Sequence, residues 1–164
     1  MSRSPFFSII TPTYNRAHYL LEMMESVQQQ TFENYEHIIV DDGSEDDTES
    51  IISARASSDP RIKYIKQSNK GRSVARNVGI ENSQGEYVCF LDSDDVWLPN
   101  HLAELNKAIS TQIEPAFYHT GLIWFYEDKT PDKQVVYRPR HLYTSDAEFA
   151  IVNQFAPDCV CVPK

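Results

Sequence analysis

The sequence predicts an α/β fold with a mainly parallel sheet flanked by helices, and three observations carry that prediction. Short apolar runs recur between residues 6 and 91, each closed by a proline, a glycine or a polar cluster. Segments with apolar residues at helical spacing separate them. Strand–helix–strand units of this kind close right-handed, which lays successive strands parallel in one sheet.

The elements follow in order. Residues 6–11 form the first apolar run, closed by Pro12, and residues 35–41 (YEHIIVD) the second, closed by Gly43. Residues 62–66 and 86–91 (EYVCFL) read as two further strands. Between them, Leu20, Met23, Met24 and Val27 make one apolar helix face; Ile51, Ile52 and Ala56 make another; Val74, Ala75 and Val78 make a third. Asn15 and Asp47 stand at the expected N-caps of the first two helices. A fourth helix is predicted after Pro99 through Ser110, then one or two strands within the aromatic-rich residues 116–126. A polar hairpin or loop over 129–140, a short helix over 145–154 and a strand over 159–162 complete the prediction. With no internal repeat, low-complexity segment or linker, residues 1–164 are expected to form a single domain.

The charge balance narrows the partners. Fifteen Lys plus Arg against twenty-four Asp plus Glu leave a net charge of −9, which disfavours a nucleic-acid backbone. An anionic small molecule remains compatible, because a bound metal ion inverts the local field. Cys89 lies in an apolar run, and Cys159 and Cys161 have neither CxxC spacing nor a nearby His, so all three are expected to be structural. No stretch reaches the ~18 apolar residues of a membrane span, and residues 1–12 lack a signal-peptide core. A soluble, cytoplasmic domain is therefore expected.

Ligands of an open parallel sheet bind beyond the carboxyl ends of its strands. Here those ends carry Thr11-Pro12-Thr13-Tyr14-Asn15, Asp41-Asp42-Gly43-Ser44, Ser68-Asn69-Lys70-Gly71-Arg72 and Asp92-Ser93-Asp94-Asp95. Asp92 and Asp94, two residues apart, can direct both carboxylates at one hard cation; the bland alternative is a solvated turn in which Asp94 or Asp95 caps a helix. Asp42-Gly43 is by itself a turn signal, and Asp46-Asp47 can be capping alone. Lys70, Arg72 and Arg76 open a helix, where free N–H groups and the dipole favour phosphate; a surface charge cluster is the alternative. Tyr14 can stack on a base or pack in the core. Neither G-x-G-x-x-G nor G-x-x-x-x-G-K-[ST] is present, which disfavours a dinucleotide fingerprint and a P-loop.

Together, SIITPTYNR, IIVDDGSEDDT, NKGRSVARNVG and GEYVCFLDSDD resemble, in order and spacing, the nucleotide-binding half of family 2 glycosyltransferases. The resemblance implies a GT-A type, Rossmann-like fold with a nucleotide-sugar-binding half over 1–98 and the start of an acceptor-side half over 99–164. It implies a UDP-sugar donor, Mn2+ or Mg2+ as cofactor, and transfer with inversion to a glycan, lipid-linked or glycoconjugate acceptor in polysaccharide or cell-wall synthesis. Such an enzyme would work in the cytoplasm, perhipherally at the inner face of the membrane. Carried over by position, Thr11, Pro12 and Tyr14 would line the nucleoside pocket and Asp42 would accept from the base imide. Asn69 and Arg76 would border base and diphosphate, Asp92 would reach the ribose or sugar, Asp94 would ligate the metal with Asp92 beside it, and Ser93 and Asp95 would complete the donor site.

Family members place an acidic general base in a later segment, and no such motif follows Ala156. Asp146, Glu148 and Asp158 are the only late carboxylates; the base is expected outside the chain, which then reads as the N-terminal portion of a longer enzyme. His119 and His141 are expected to be structural or exposed. Two rival readings remain. Phe90-Leu91-Asp92-Ser93-Asp94-Asp95-Val96 also fits a haloacid-dehalogenase-type phosphotransferase with Asp92 as nucleophile. A non-catalytic nucleotide-sugar-binding domain is the other.

Overall fold

The structure is a computed structural model that describes residues 4–111, 118–119 and 160–164. Strand β1 (Phe7–Thr13), helix α1 (Ala17–Gln28), β2 (Tyr35–Asp41), α2 (Thr48–Ala56), β3 (Ile62–Lys66), α3 (Arg72–Glu81), β4 (Tyr87–Phe90) and α4 (His101–Ser110) follow one another. Short strands β5 (Tyr118–His119) and β6 (Val160–Pro163) complete the described elements. The sheet order is β3-β2-β1-β4-β6-β5. The first four strands are parallel, and β6 runs antiparallel to both β4 and β5. The predicted segments 129–140 and 145–154 lie outside the described residues, as do Cys159, His141, Asp146, Glu148 and Asp158.

Side-chain alternation sorts the apolar runs onto two faces. Phe7, Ile9, Tyr35 and Ile39 pack with Leu20, Met23, Met24 and Val27 of α1, Ile52 of α2, and Leu102 and Leu105 of α4. Ile38 and Val40 face the other way, onto Ala75 and Val78 of α3. Val74 is exposed, contrary to its expected place on the buried face, because α3 turns Ala75 and Gly79 inward instead. A Cβ at Gly79 would stand 2.4 Å from Ile10 Cγ2, so glycine sets how closely α3 lies on β1. Cys89 and Cys161 are buried, free and directly opposite each other across β4 and β6, in line with a structural role.

The connection β1–α1–β2 and the connection β3–α3–β4 pass over opposite faces, so the strand order reverses between β1 and β4. That reversal opens a crevice at the carboxyl ends of these two strands. Strand β1 continues past Pro12, where the sequence predicted its end, and pairs with β2 as far as Thr13↔Asp41. Proline is tolerated because Ile10, which shares its orientation, bonds toward β4 through Leu91 N–H, and pairing with β4 stops at Ile10↔Phe90. The missing N–H thus falls where there is no ladder to join.

The predicted caps also change partners. Asn15 adopts φ 51° and its side chain accepts from Glu45 N–H at 2.9 Å, while Asp46 accepts from Ala17 N–H at 3.0 Å and Thr48 N–H at 3.1 Å. Asp46 therefore serves the starts of both α1 and α2, and Asp47 makes no side-chain cap bond. Asn15 and Asp46 each bond across to the other loop because the two loops lie side by side at the strand ends.

His37 is fully buried on β2, with Nε2 3.0 Å from Thr11 Oγ1. Burial lowers its pKa to about 3, against a smaller opposing effect of Asp59. Burial likewise lowers His101, stacked on Trp97, to about 4. Below an unfolded-state value of ~6.5 the unfolded chain takes up protons that these folded imidazoles refuse, so their stability contribution is complete above that pH and is lost as pH falls through the window. The urea midpoint should fall steadily from pH 6.5 to 4. His37→Gln, which does not titrate, should show a shallower slope; an unchanged slope would mean that His37 is not the group involved.

Candidate functional site

A cavity of about 270 Å3 opens at the crevice, lined by Pro12, Thr13, Tyr14, Arg16, Asp42, Asn69, Gly71, Arg72, Asp92, Ser93 and Asp94. Seven of the ten residues carried over from the family resemblance meet there, Pro12, Tyr14, Asp42, Asn69, Asp92, Ser93 and Asp94, together with Arg72 of the basic helix start. Tyr14 is 46% exposed, which rules out the core-packing alternative and leaves its ring available to a flat ligand. Thr11 stands behind the wall, fully buried with its hydroxyl on His37, because alternation along β1 turns it to the sheet's other side from Pro12. Asp95 is not in the lining; its N–H bonds to the Asp92 carbonyl at 3.1 Å in the turn after β4. Neither Asp94 nor Asp95 caps a helix, since α4 begins only at His101 with Asn100 before it.

Asp41 and Asp42 divide the work of their loop. Asp41 is fully buried and accepts from Ser44 N–H at 2.8 Å and Tyr64 O–H at 2.7 Å, a structural role. Asp42 accepts from Gln67 Nε2 at 2.7 Å and from the N–H groups of Lys70 and Gly71 at 2.8 Å each. Burial acts to raise its pKa, but these three bonds and the Lys70 charge hold it below the ordinary value. A carboxylate has about four acceptor positions, so one remains for a ligand donor. The helix start expected to receive phosphate through its first N–H groups thus gives two neighbouring ones to Asp42. Gly43, at φ +85°, allows the approach: a Cβ there would lie 3.0 Å from Asn69 N.

The acidic turn is met by three arginines. Arg76 Nη2 bonds Asp92 Oδ1 at 2.5 Å, and Arg72 Nη1 bonds Asp92 Oδ2 at 3.1 Å. Four residues apart, the two share one face of α3. Arg16, after β1, stands 3.3 Å from Asp94. Arg76 bonds Asp92 but is not in the cavity lining, whereas Arg72, one turn earlier, is. Thr13 and Gly71 lie within the strand-end clusters but were given no role of their own, and Arg16 lies outside those clusters. Arg16 ends the SIITPTYNR block, but only the meeting of β1 and β4 connects it to Asp94.

Asp92, Asp94 and Asp95 each offer a carboxylate oxygen, and these atoms lie within 4.8 Å of one another. Hard oxygen donors at one mouth of a cavity suit Mg2+ or Mn2+, so the donor set fits such an ion. The loop after them is anchored to the end of α1: Gln30 donates to the Leu98 carbonyl at 2.8 Å and accepts from Leu102 N–H at 3.0 Å, and Ser26 Oγ accepts from Trp97 N–H at 3.2 Å. Among the described residues, no helix is long and apolar enough to cross a membrane.

Residues 8–150 match the family described as Glycosyl transferase family 2. TuaG, the proposed teichuronic acid biosynthesis glycosyltransferase of Bacillus subtilis (strain 168), is 38% identical over 146 residues, which are 87% of this chain and 57% of TuaG. Glycosyltransferase GlyG of Streptococcus pneumoniae serotype 4 (strain ATCC BAA-334 / TIGR4) is 38% identical over 107 residues, 65% of this chain and 36% of GlyG. The crystal structure of S. aureus TarS 1-349 in complex with UDP-GlcNAc is similar with a TM-score of 0.68 at 28% identity, covering 76% of this chain and 36% of that one. The chain thus spans little more than half the length of TuaG and about a third of the other two.

Proposed function

Because this chain belongs to glycosyl transferase family 2, we propose that it binds a UDP-sugar in the crevice between β1 and β4 and serves metal-assisted transfer of the sugar, with inversion, to a glycan or glycoconjugate acceptor. The observation that carries the reading is the cavity itself, whose lining combines an exposed aromatic ring and a buried carboxylate, Tyr14 and Asp42, with an arginine-met acidic turn. Tyr14 and Asp42 would receive the base, with Asn69 beside them. Arg72 and Arg16 would face the diphosphate. Asp94 and Asp92 would hold Mn2+ or Mg2+, which as a Lewis acid would stabilise the departing diphosphate.

Residues 1–98 would supply the donor site and residues 99–164 begin the acceptor side, with the general base outside the described residues. The similarity to TarS with its UDP-GlcNAc supports a UDP-sugar donor, and the similarity to TuaG, named for teichuronic acid biosynthesis, supports a polysaccharide acceptor. The reading places the work at the cytoplasmic side of the membrane. The phosphotransferase alternative needs Asp92 as a nucleophile, and a carboxylate held by two guanidinium groups is poorly suited to attack.

Calorimetric titration of UDP, with Mn2+ and with EDTA, tests the proposal. Binding should weaken strongly in EDTA. Asp94→Ala should remove the Mn2+ enhancement, a loss of about tenfold or more in affinity, while unfolding as the parent does, since Asp94 is exposed and touches Arg16 in a surface pair. Equal Mn2+-dependent affinity in both proteins would sink the metal assignment. UDP binding without transfer to candidate acceptors, even in a longer protein that carries the later acidic segment, would favour a binding-only domain.

A further inference from the structure

We propose that Arg16 and Arg72 are exchangeable counter-ions that couple cation binding to diphosphate binding: without ligands they neutralise Asp94 and Asp92, and they leave those carboxylates for the diphosphate when a divalent cation arrives. This inference rests on the donor-site reading above.

The three arginines differ in how firmly they are held. Arg76 is 17% exposed, sits 2.5 Å from Asp92 and does not line the cavity. Arg72 is 65% exposed at 3.1 Å, and Arg16 is 44% exposed at 3.3 Å. Both of these do line the cavity. Exposed pairs of this kind contribute little stability, so their guanidinium groups can rotate to a new anion at small cost. Arg76 stays, keeping Asp92 oriented through the exchange. The two mobile arginines come from different elements, one after β1 and one on the first turn of α3, so they approach the carboxylates from two sides.

Two consequences follow. A cation alone must displace two positive groups that have nowhere better to go. A diphosphate alone finds its arginines engaged, and taking them strips Asp94 of Arg16 and leaves Asp92 with Arg76 alone. Each ligand removes the obstacle to the other, and the coupling is reciprocal by thermodynamic necessity.

The test measures Mn2+ binding alone, UDP binding alone and UDP binding with Mn2+, by calorimetry, in the parent chain, Arg72→Gln, Arg16→Gln and Arg72→Lys. In the parent, Mn2+ should strengthen UDP binding by a factor within the usual ~5–150-fold range of such couplings. Each glutamine variant should bind Mn2+ alone several-fold more tightly than the parent, bind UDP with Mn2+ more weakly, and show a coupling factor reduced toward one. Arg72→Lys, which keeps the charge, should stay near the parent. A purely structural role for Arg72 would weaken both ligands together. If the glutamine variants bind Mn2+ alone no better than the parent, or keep the full coupling factor, the exchange is overturned. If the parent fails to bind UDP at all, the donor-site reading falls, whereas the comparison of Mn2+ affinities still judges the exchange.

Discussion

Asp92→Ala should destabilise the domain by about 3 kcal/mol and abolish UDP binding together. Asp92 and Arg76 are 14% and 17% exposed, and Arg76 Nε is buried without a hydrogen-bond partner even with the pair intact. Removing the carboxylate leaves a largely buried guanidinium with no counter-charge, the situation in which breaking a buried pair costs ~3–5 kcal/mol. The lower end applies here because both groups keep some contact with water. Asp92→Asn, which keeps an acceptor, should lose less. Combining Asp92→Ala with Arg76→Met should recover part of the stability, since the orphaned charge goes with its partner. Urea unfolding of the four proteins measures this directly. A single alanine variant within ~0.5 kcal/mol of the parent would mean that the pair is not held as described.

The second large effect is expected at Asp42→Ala. Three donors, the Gln67 side chain and the N–H groups of Lys70 and Gly71, converge on this one buried carboxylate. Hydrogen bonds to a charged group contribute ~1.5–3 kcal/mol each, but Lys70 and Gly71 are exposed and water will replace much of what they lose. A net loss of about 2–4 kcal/mol follows. UDP affinity should drop along with it, because the segment carrying Asn69 and leading into Arg72 loses its anchor. A contact with the base imide alone would give a narrower result, in which the variant loses discrimination between UDP and CDP more than affinity for the diphosphate. The bonds found here make Asp42 a support for the loop as well as a candidate base contact, so both quantities should fall. Unfolding at the parent's urea midpoint, with only base discrimination altered, would show that the loop holds its shape without Asp42.

Much of this was legible in the sequence, and for local reasons. An apolar run closed by Gly43 or Pro12 is a strand end whatever surrounds it, to within the few residues by which β1 outran its proline. The apolar spacings in α1 and α2 come from the helix repeat itself, and parallel connections have one favoured hand. Four polar clusters at four strand ends must then gather on one edge of the sheet. Chain neighbours and covalent geometry therefore determined the β/α order, the crevice and most of its lining.

The tertiary structure alone decided which side chain meets which. Asp46 caps α1 across a loop, Asp42 holds the start of α3, Arg16 reaches Asp94, and Arg72 rather than Arg76 faces the cavity. Strand β6 pairs antiparallel with β4, placing Cys161 against Cys89. These contacts join segments far apart in the chain, and no periodicity or turn signal specifies them. A long arginine can reach any carboxylate within its length; the twist of the sheet and the seating of Gly79 on Ile10 set which one lies there.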